Sequence, residues 1–165
     1  MGDIGGFRHE DLTQAPPMIT NPYLGTSTDI DYAELNPNIV VRVGNSEGSN
    51  PRMGVSMDNG KTWRPAANAW VSPSNDATQG GYVAVGADGS SMVWSPSNAA
   101  DPKPVSYSKD LGATWKASSG IPSGARVSSD RVNPKKFYGI ADGVFYVSVD
   151  GGATFAKAAT GLRRI

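Results

Sequence analysis

The chain has 165 residues, enough for one domain with a sizeable core, and its 15 basic and 15 acidic side chains cancel. Zero net charge removes the electrostatic case for nucleic acid or an anionic membrane as a partner. Cysteine is absent and histidine occurs once, which excludes a disulfide framework and argues against a zinc site; neither a metal nor another cofactor is expected. Glycine (20) and proline (12) are abundant beside four Trp, six Tyr and four Phe. That mixture suits a turn-rich β protein, because disordered chains lack the aromatics. No apolar run is long enough to span a bilayer, and residues 1–20 show no basic-then-apolar leader.

The chain opens on "GDIGGFRHEDL", residues 2–12, with two glycines, an early carboxylate and a charged run but no strand ahead of it. Residues 1–28 read as one long loop. Strand patterns then follow in "IDYAEL" and "IVVRVGN", with Asn36-Pro37 as a turn signal between them. The next segment, "SMDNGKTW" from Ser56, returns as "SKDLGATW" from Ser108 and "SVDGGATF" from Ser148, starts that lie 52 and 40 residues apart. All three fit Ser-x-Asp-x-Gly-x-Thr-Trp/Phe, the pattern known as the Asp-box. Before the second copy stand "GYVAVGAD" and "SMVWS"; before the third stand "ARVSSD" and "KFYGIAD", again with an Asn-Pro pair at Asn133-Pro134.

Each box has the chemistry of a tight hairpin turn. Apolar alternation leads in and a short strand leads out ("TWRPA", "TWKAS", "TFAKA"). Gly60, Gly112 and Gly152 supply the positive φ that the turn needs. Asp58, Asp110 and Asp150 can accept the turn's backbone N–H groups, with the Ser56, Ser108 and Ser148 hydroxyls beside them. Trp63, Trp115 and Phe155 cap the knot with apolar area. These carboxylates are therefore read as structural and not as catalytic. The glycine-rich strings "GADGSS" and "QGG" lack a P-loop lysine and a following helix, so they are read as turns.

Four short antiparallel strands in each repeat make an all-β chain of β-propeller blades. The expected blades are 29–67, 68–118 and 119–159, and 160–165 reads as the lead into another. Three blades fall short of a closed ring, so an incomplete arc is expected. Its two end faces would bind the remainder of a parent enzyme or a second copy of the chain.

The opening loop and the Asp-boxes, with "APPM", "NPYLGTSTDIDYAELNPNIVVRVGN" and "VWSP", resemble glycoside hydrolase family 74, the xyloglucanases. The resemblance covers most of the chain. It implies two seven-bladed propellers facing across a cleft, and cleavage of the β-1,4-glucan backbone of xyloglucan with inversion by two aspartates. It implies further that Asp3, in the "GDxGGF" string, is the general acid, and that the chain is the opening part of the second propeller. Such an acid needs a raised pKa and a partner carboxylate roughly 6.5–9.5 Å away to activate water. No second motif of the partner type occurs here, so the chain alone is expected to have little hydrolase activity. A parent of this kind would be exported, since its substrate is a cell-wall polysaccharide.

The candidate sugar contacts are Gly5 and Gly6, which allow close backbone approach, Arg8 and His9, which can bond hydroxyls, and the aromatic platforms Tyr23, Trp70 and Trp94. Two other functions stand against the first. A sialidase would show a "FRIP"-like string, and "FRHE" stands in its place. A non-catalytic Asp-box propeller that binds glycan or protein would have no need of an acid in the opening loop.

Overall fold

A computed structural model of the chain describes residues 5–47, 50–67, 79–97 and 102–159. Twelve strands account for the regular structure, and no helix occurs among the described residues, so none is long and apolar enough to cross a membrane. The first sheet comprises β1 (Thr26–Ala33), β2 (Asn36–Asn45), β3 (Met53–Ser56) and β4 (Arg64–Pro65). The second comprises β5 (Gln79–Val85), β6 (Met92–Ser97), β7 (Ser106–Ser108) and β8 (Lys116–Ala117). The third comprises β9 (Arg126–Ser129), β10 (Phe137–Ala141), β11 (Val144–Ser148) and β12 (Ala156–Ala159). Each sheet is an antiparallel meander in which every strand pairs with the next in the chain. These are the three blades foreseen in the sequence, and they do not close a ring.

Period-2 alternation decides which residues meet between blades. Val41, Val43, Met53 and Val55 of the first blade face Val83, Val85, Met92 and Trp94 of the second, all nearly or wholly removed from solvent. On the other side of the second blade, Ala84, Val93 and Val105 meet Val127, Phe137, Tyr146 and Phe155 of the third. The core is thus two apolar slabs, one in each gap between neighbouring sheets. A β-strand buried on both faces reads as a continuous apolar run, which is why "YVAV" and "MVW" do not alternate with polar residues.

The first strands of the blades pack in succession, β1 against β5 and β5 against β9. As an edge strand β5 leaves N–H groups unpaired in its own sheet, and carboxylates of β1 cover them. Asp29 accepts from the Val83 N–H at 3.0 Å and Asp31 from the Val85 N–H at 2.8 Å. Asp31 also accepts from the Arg131 guanidinium at 2.7 Å and weakly from the Ser129 hydroxyl at 3.4 Å. One buried side chain therefore ties the first blade to both of the others.

Candidate functional site

The opening loop folds back on itself before it enters β1. The Ile19 N–H donates to the Gly6 carbonyl at 2.8 Å, and Phe7 and Met18 form an isolated antiparallel bridge. Gly5 permits that closure: a Cβ there would sit 2.1 Å from the Ile19 carbonyl oxygen. Gly6 adopts φ +104°, a conformation that side chains resist. The close approach that Gly5 serves is thus to the loop's own backbone.

Arg42, in the middle of β2, anchors the loop to the first blade. Its guanidinium donates to the Gly5 carbonyl and, at 2.6 Å, to the Pro22 carbonyl. It also lies over the Trp63 ring, 4.8 Å from the ring centroid. Arg42 is only 4% exposed, and that burial pushes its guanidinium down to about 10, still charged at neutral pH. A second arginine, Arg8, reaches from the loop to the Asn59 carbonyl at 2.7 Å and pairs with Glu10.

Two hollows flank these anchors. One, of about 510 Å³, lies between the loop and the open face of the first blade, lined by Phe7, Ile19, Ile30, Val40 and Trp63. The other, of about 500 Å³, lies across Arg8 and Trp63, against the Pro16–Asn21 stretch. Trp63 lines both. Read from sequence as a core cap, it is half-buried here, as is its counterpart Trp115 in the second blade.

The three repeated turns share one bonding pattern. Asp58 accepts from the Thr62 N–H at 2.8 Å, the Thr62 hydroxyl at 2.5 Å and the Ser56 hydroxyl at 2.8 Å. Asp110 repeats this with Thr114 and Ser108, and Asp150 with Thr154 and Ser148. Ser56, Ser108 and Ser148 in turn accept the N–H of Gly60, Gly112 and Gly152. Bonds from the Thr hydroxyl and N–H hold Asp58 and Asp110 at about 2, well below the ordinary carboxylate range. A carboxylate so fully engaged cannot serve as a proton donor at neutral pH. The sequence expected one left-handed residue per turn; Asn59, Leu111 and Gly151 are left-handed as well.

No protein-family model matches the chain. A xyloglucanase of a Paenibacillus species is 48% identical over 168 residues, covering 98% of this chain and 16% of that protein. Xyloglucanase Xgh74A of Acetivibrio thermocellus is 40% identical over 159 residues, covering 94% of this chain and 18% of its own length. The crystal structure of the glycoside hydrolase family 74 xyloglucanase from Xanthomonas campestris superposes with a TM-score of 0.78 at 34% identity, over 94% of this chain and 22% of that one. Over nearly its whole length the chain is therefore similar to xyloglucanases, among them one of glycoside hydrolase family 74. It spans 16–22% of the length of these relatives.

The candidate residues separate into groups. Asp3 and Trp70 lie outside the described residues. Gly5, Gly6 and Arg8 sit together in the loop, and Arg8 spends its Nε on the Asn59 carbonyl. His9 is exposed, with its ring tilted against Phe7 at 6.5 Å. Tyr23 is 45% exposed, and its ring stands beside Gly5. Trp94 is the exception to the sugar-contact reading. It is fully buried, donates from Nε1 to the Gly80 carbonyl at 2.7 Å, and packs on Trp115 with ring centroids 5.7 Å apart. No face of its ring is open to a ligand, so Trp94 is a packing residue between blades.

Sequence reasoning missed Arg42, Asp31 and Arg131. For Arg42 a signal was present: a lone cation inside the apolar run "IVVRVGN" must be either paired or outward-facing. For Asp31 and Arg131 there was none, since the two are 100 residues apart.

Proposed function

We propose that this chain is the acid-bearing segment of a secreted, inverting endo-β-1,4-glucanase that cuts xyloglucan. Asp3 is the general acid, and the loop of residues 1–28 presents it at the entrance to the second propeller of the enzyme. The observation that carries this reading is the match to xyloglucanases over 94–98% of the chain. The geometry supports it: the loop is pinned by buried contacts two residues from Asp3, next to hollows wide enough for a sugar ring. Tyr23, His9 and Trp70 are the side chains we propose for sugar contacts, with Gly5 and Gly6 shaping the loop. The second carboxylate and the opposite wall of the cleft come from the remainder of the enzyme.

Segment exchange tests the proposal. The matched segment of the Paenibacillus xyloglucanase is replaced by this chain, and reducing-sugar release from xyloglucan is measured. Retained turnover in the chimaera, with none from the isolated chain, is the expected outcome. Turnover by the isolated chain near that of the chimaera would show that one carboxylate suffices and overturn the two-aspartate reading. A folded chimaera that binds xyloglucan without cleaving it would favour a non-catalytic glycan-binding propeller.

A further inference from the structure

The three blades can be aligned through their repeated serines. Ser56 pairs across the sheet with Val40, Ser108 with Met92 and Ser148 with Phe137. Two residues along the second strand, the equivalent positions are Arg42, Trp94 and Gly139. In the second blade, Trp94 packs on its own turn aromatic, Trp115, and the first blade covers both. In the first blade, Arg42 packs on its turn aromatic, Trp63, in the same relation, and the opening loop takes the covering place.

The parallel extends to the turns. Arg64, leaving the first blade, donates to the Leu111 carbonyl of the second blade's turn at 2.8 Å. Arg8 of the loop donates to the Asn59 carbonyl of the first blade's turn, the equivalent position, at 2.7 Å. The loop therefore docks on the first blade as the first blade docks on the second. One difference matters. Where a blade offers apolar side chains to the tryptophan position, the loop offers two backbone carbonyls, and a cation replaces the tryptophan to receive them. A buried guanidinium binds carbonyls at fixed angles, whereas an apolar contact would let the loop slide.

We propose that Arg42 is the positioning residue for the acid: through Gly5 and Pro22 it fixes the loop that carries Asp3. This rests on the reading of Asp3 as the general acid. A displacement of about 1 Å at a reacting group can cost on the order of a hundredfold in rate. Loss of the anchor should therefore lower kcat and leave ground-state binding of a long glucan nearly unchanged.

The test uses the segment-exchange chimaera and the chain itself. In the chimaera, Arg42→Met is expected to lower kcat on xyloglucan at least tenfold with KM within twofold, and Arg42→Lys to recover part of the loss. In the chain, hydrogen exchange of the Ile19 amide is expected to quicken at least tenfold in Arg42→Met, while the β2 and β3 amides keep their protection. An unchanged Ile19 rate overturns the proposal whatever the chimaera does. So does wild-type kcat in Arg42→Met when Asp3→Asn is inactive. Full turnover in Asp3→Asn overturns instead the assignment of the acid, and the positioning role with it.

Discussion

Asp31 offers the sharpest test of how the blades are held. Replacing it by alanine leaves the Val85 N–H without an acceptor in a site where the aspartate is only 7% exposed. An orphaned buried donor costs about 1–3 kcal/mol. The same change removes the partner of Arg131, whose side chain is 46% exposed, so that contribution is screened and adds about 1 kcal/mol at most. The expected total is about 1–4 kcal/mol. With a urea m-value of roughly 2 kcal/mol/M, the midpoint should fall by about 0.5–2 M. Arg131→Ala leaves Asp31 bonded to the Val85 N–H and should cost only about 1 kcal/mol. Urea unfolding of the two single variants and the double variant then gives the coupling between them. Asp31→Ala within about 0.5 kcal/mol of wild type would refute the view that this carboxylate joins the blades.

Asp58 and Asp110 have folded pKa values of about 2, below their ordinary value, so their contribution is complete above about pH 4 and is lost as pH falls through 2. Asp110→Asn should flatten the acid limb of a pH–stability curve in that window, measured by thermal unfolding between pH 2 and 6. Trp94→Ala should destabilise by about 3–5 kcal/mol, since it empties the slab between the first two blades. Near-wild-type denaturation would contradict its burial. Gly5→Ala should disturb the loop without unfolding the sheets, because its Cβ would collide with the Ile19 carbonyl. Proton–nitrogen correlation spectra should then move for residues 5–25 and stay fixed for β5 through β12.

The repeat made the architecture legible. Three copies of one turn, each with two strand patterns ahead of it, specify three meanders, and the observed sheets follow that order. Strand ends were less visible: β1 begins at Thr26, ahead of the expected boundary at residue 29, because a register irregularity between Ser27 and Asp29 extends the pairing. The structural role of the turn carboxylates was also readable, since short-range bonds are set by neighbours in sequence. Contacts across the chain were not. Arg42 meets Gly5 over 37 residues, and only the folded blade reveals that its position is the one tryptophan occupies in the next repeat. Among the candidate sugar platforms Trp94 is the one on a strand, where aromatics usually pack between blades, and it does so. Its position two residues from the one paired with Ser108 turns it into the slab between blades. Trp63 stayed half-buried like Trp115 and lines two hollows beside the loop.

The account stands or falls on the carboxylate at position 3. In the segment-exchange chimaera, Asp3→Asn is predicted to reduce xyloglucan turnover by about 10²–10⁴-fold, the usual worth of a general acid, while the affinity for xyloglucan oligosaccharides changes by less than about twofold. Turnover within a factor of about three of the unsubstituted chimaera would contradict it.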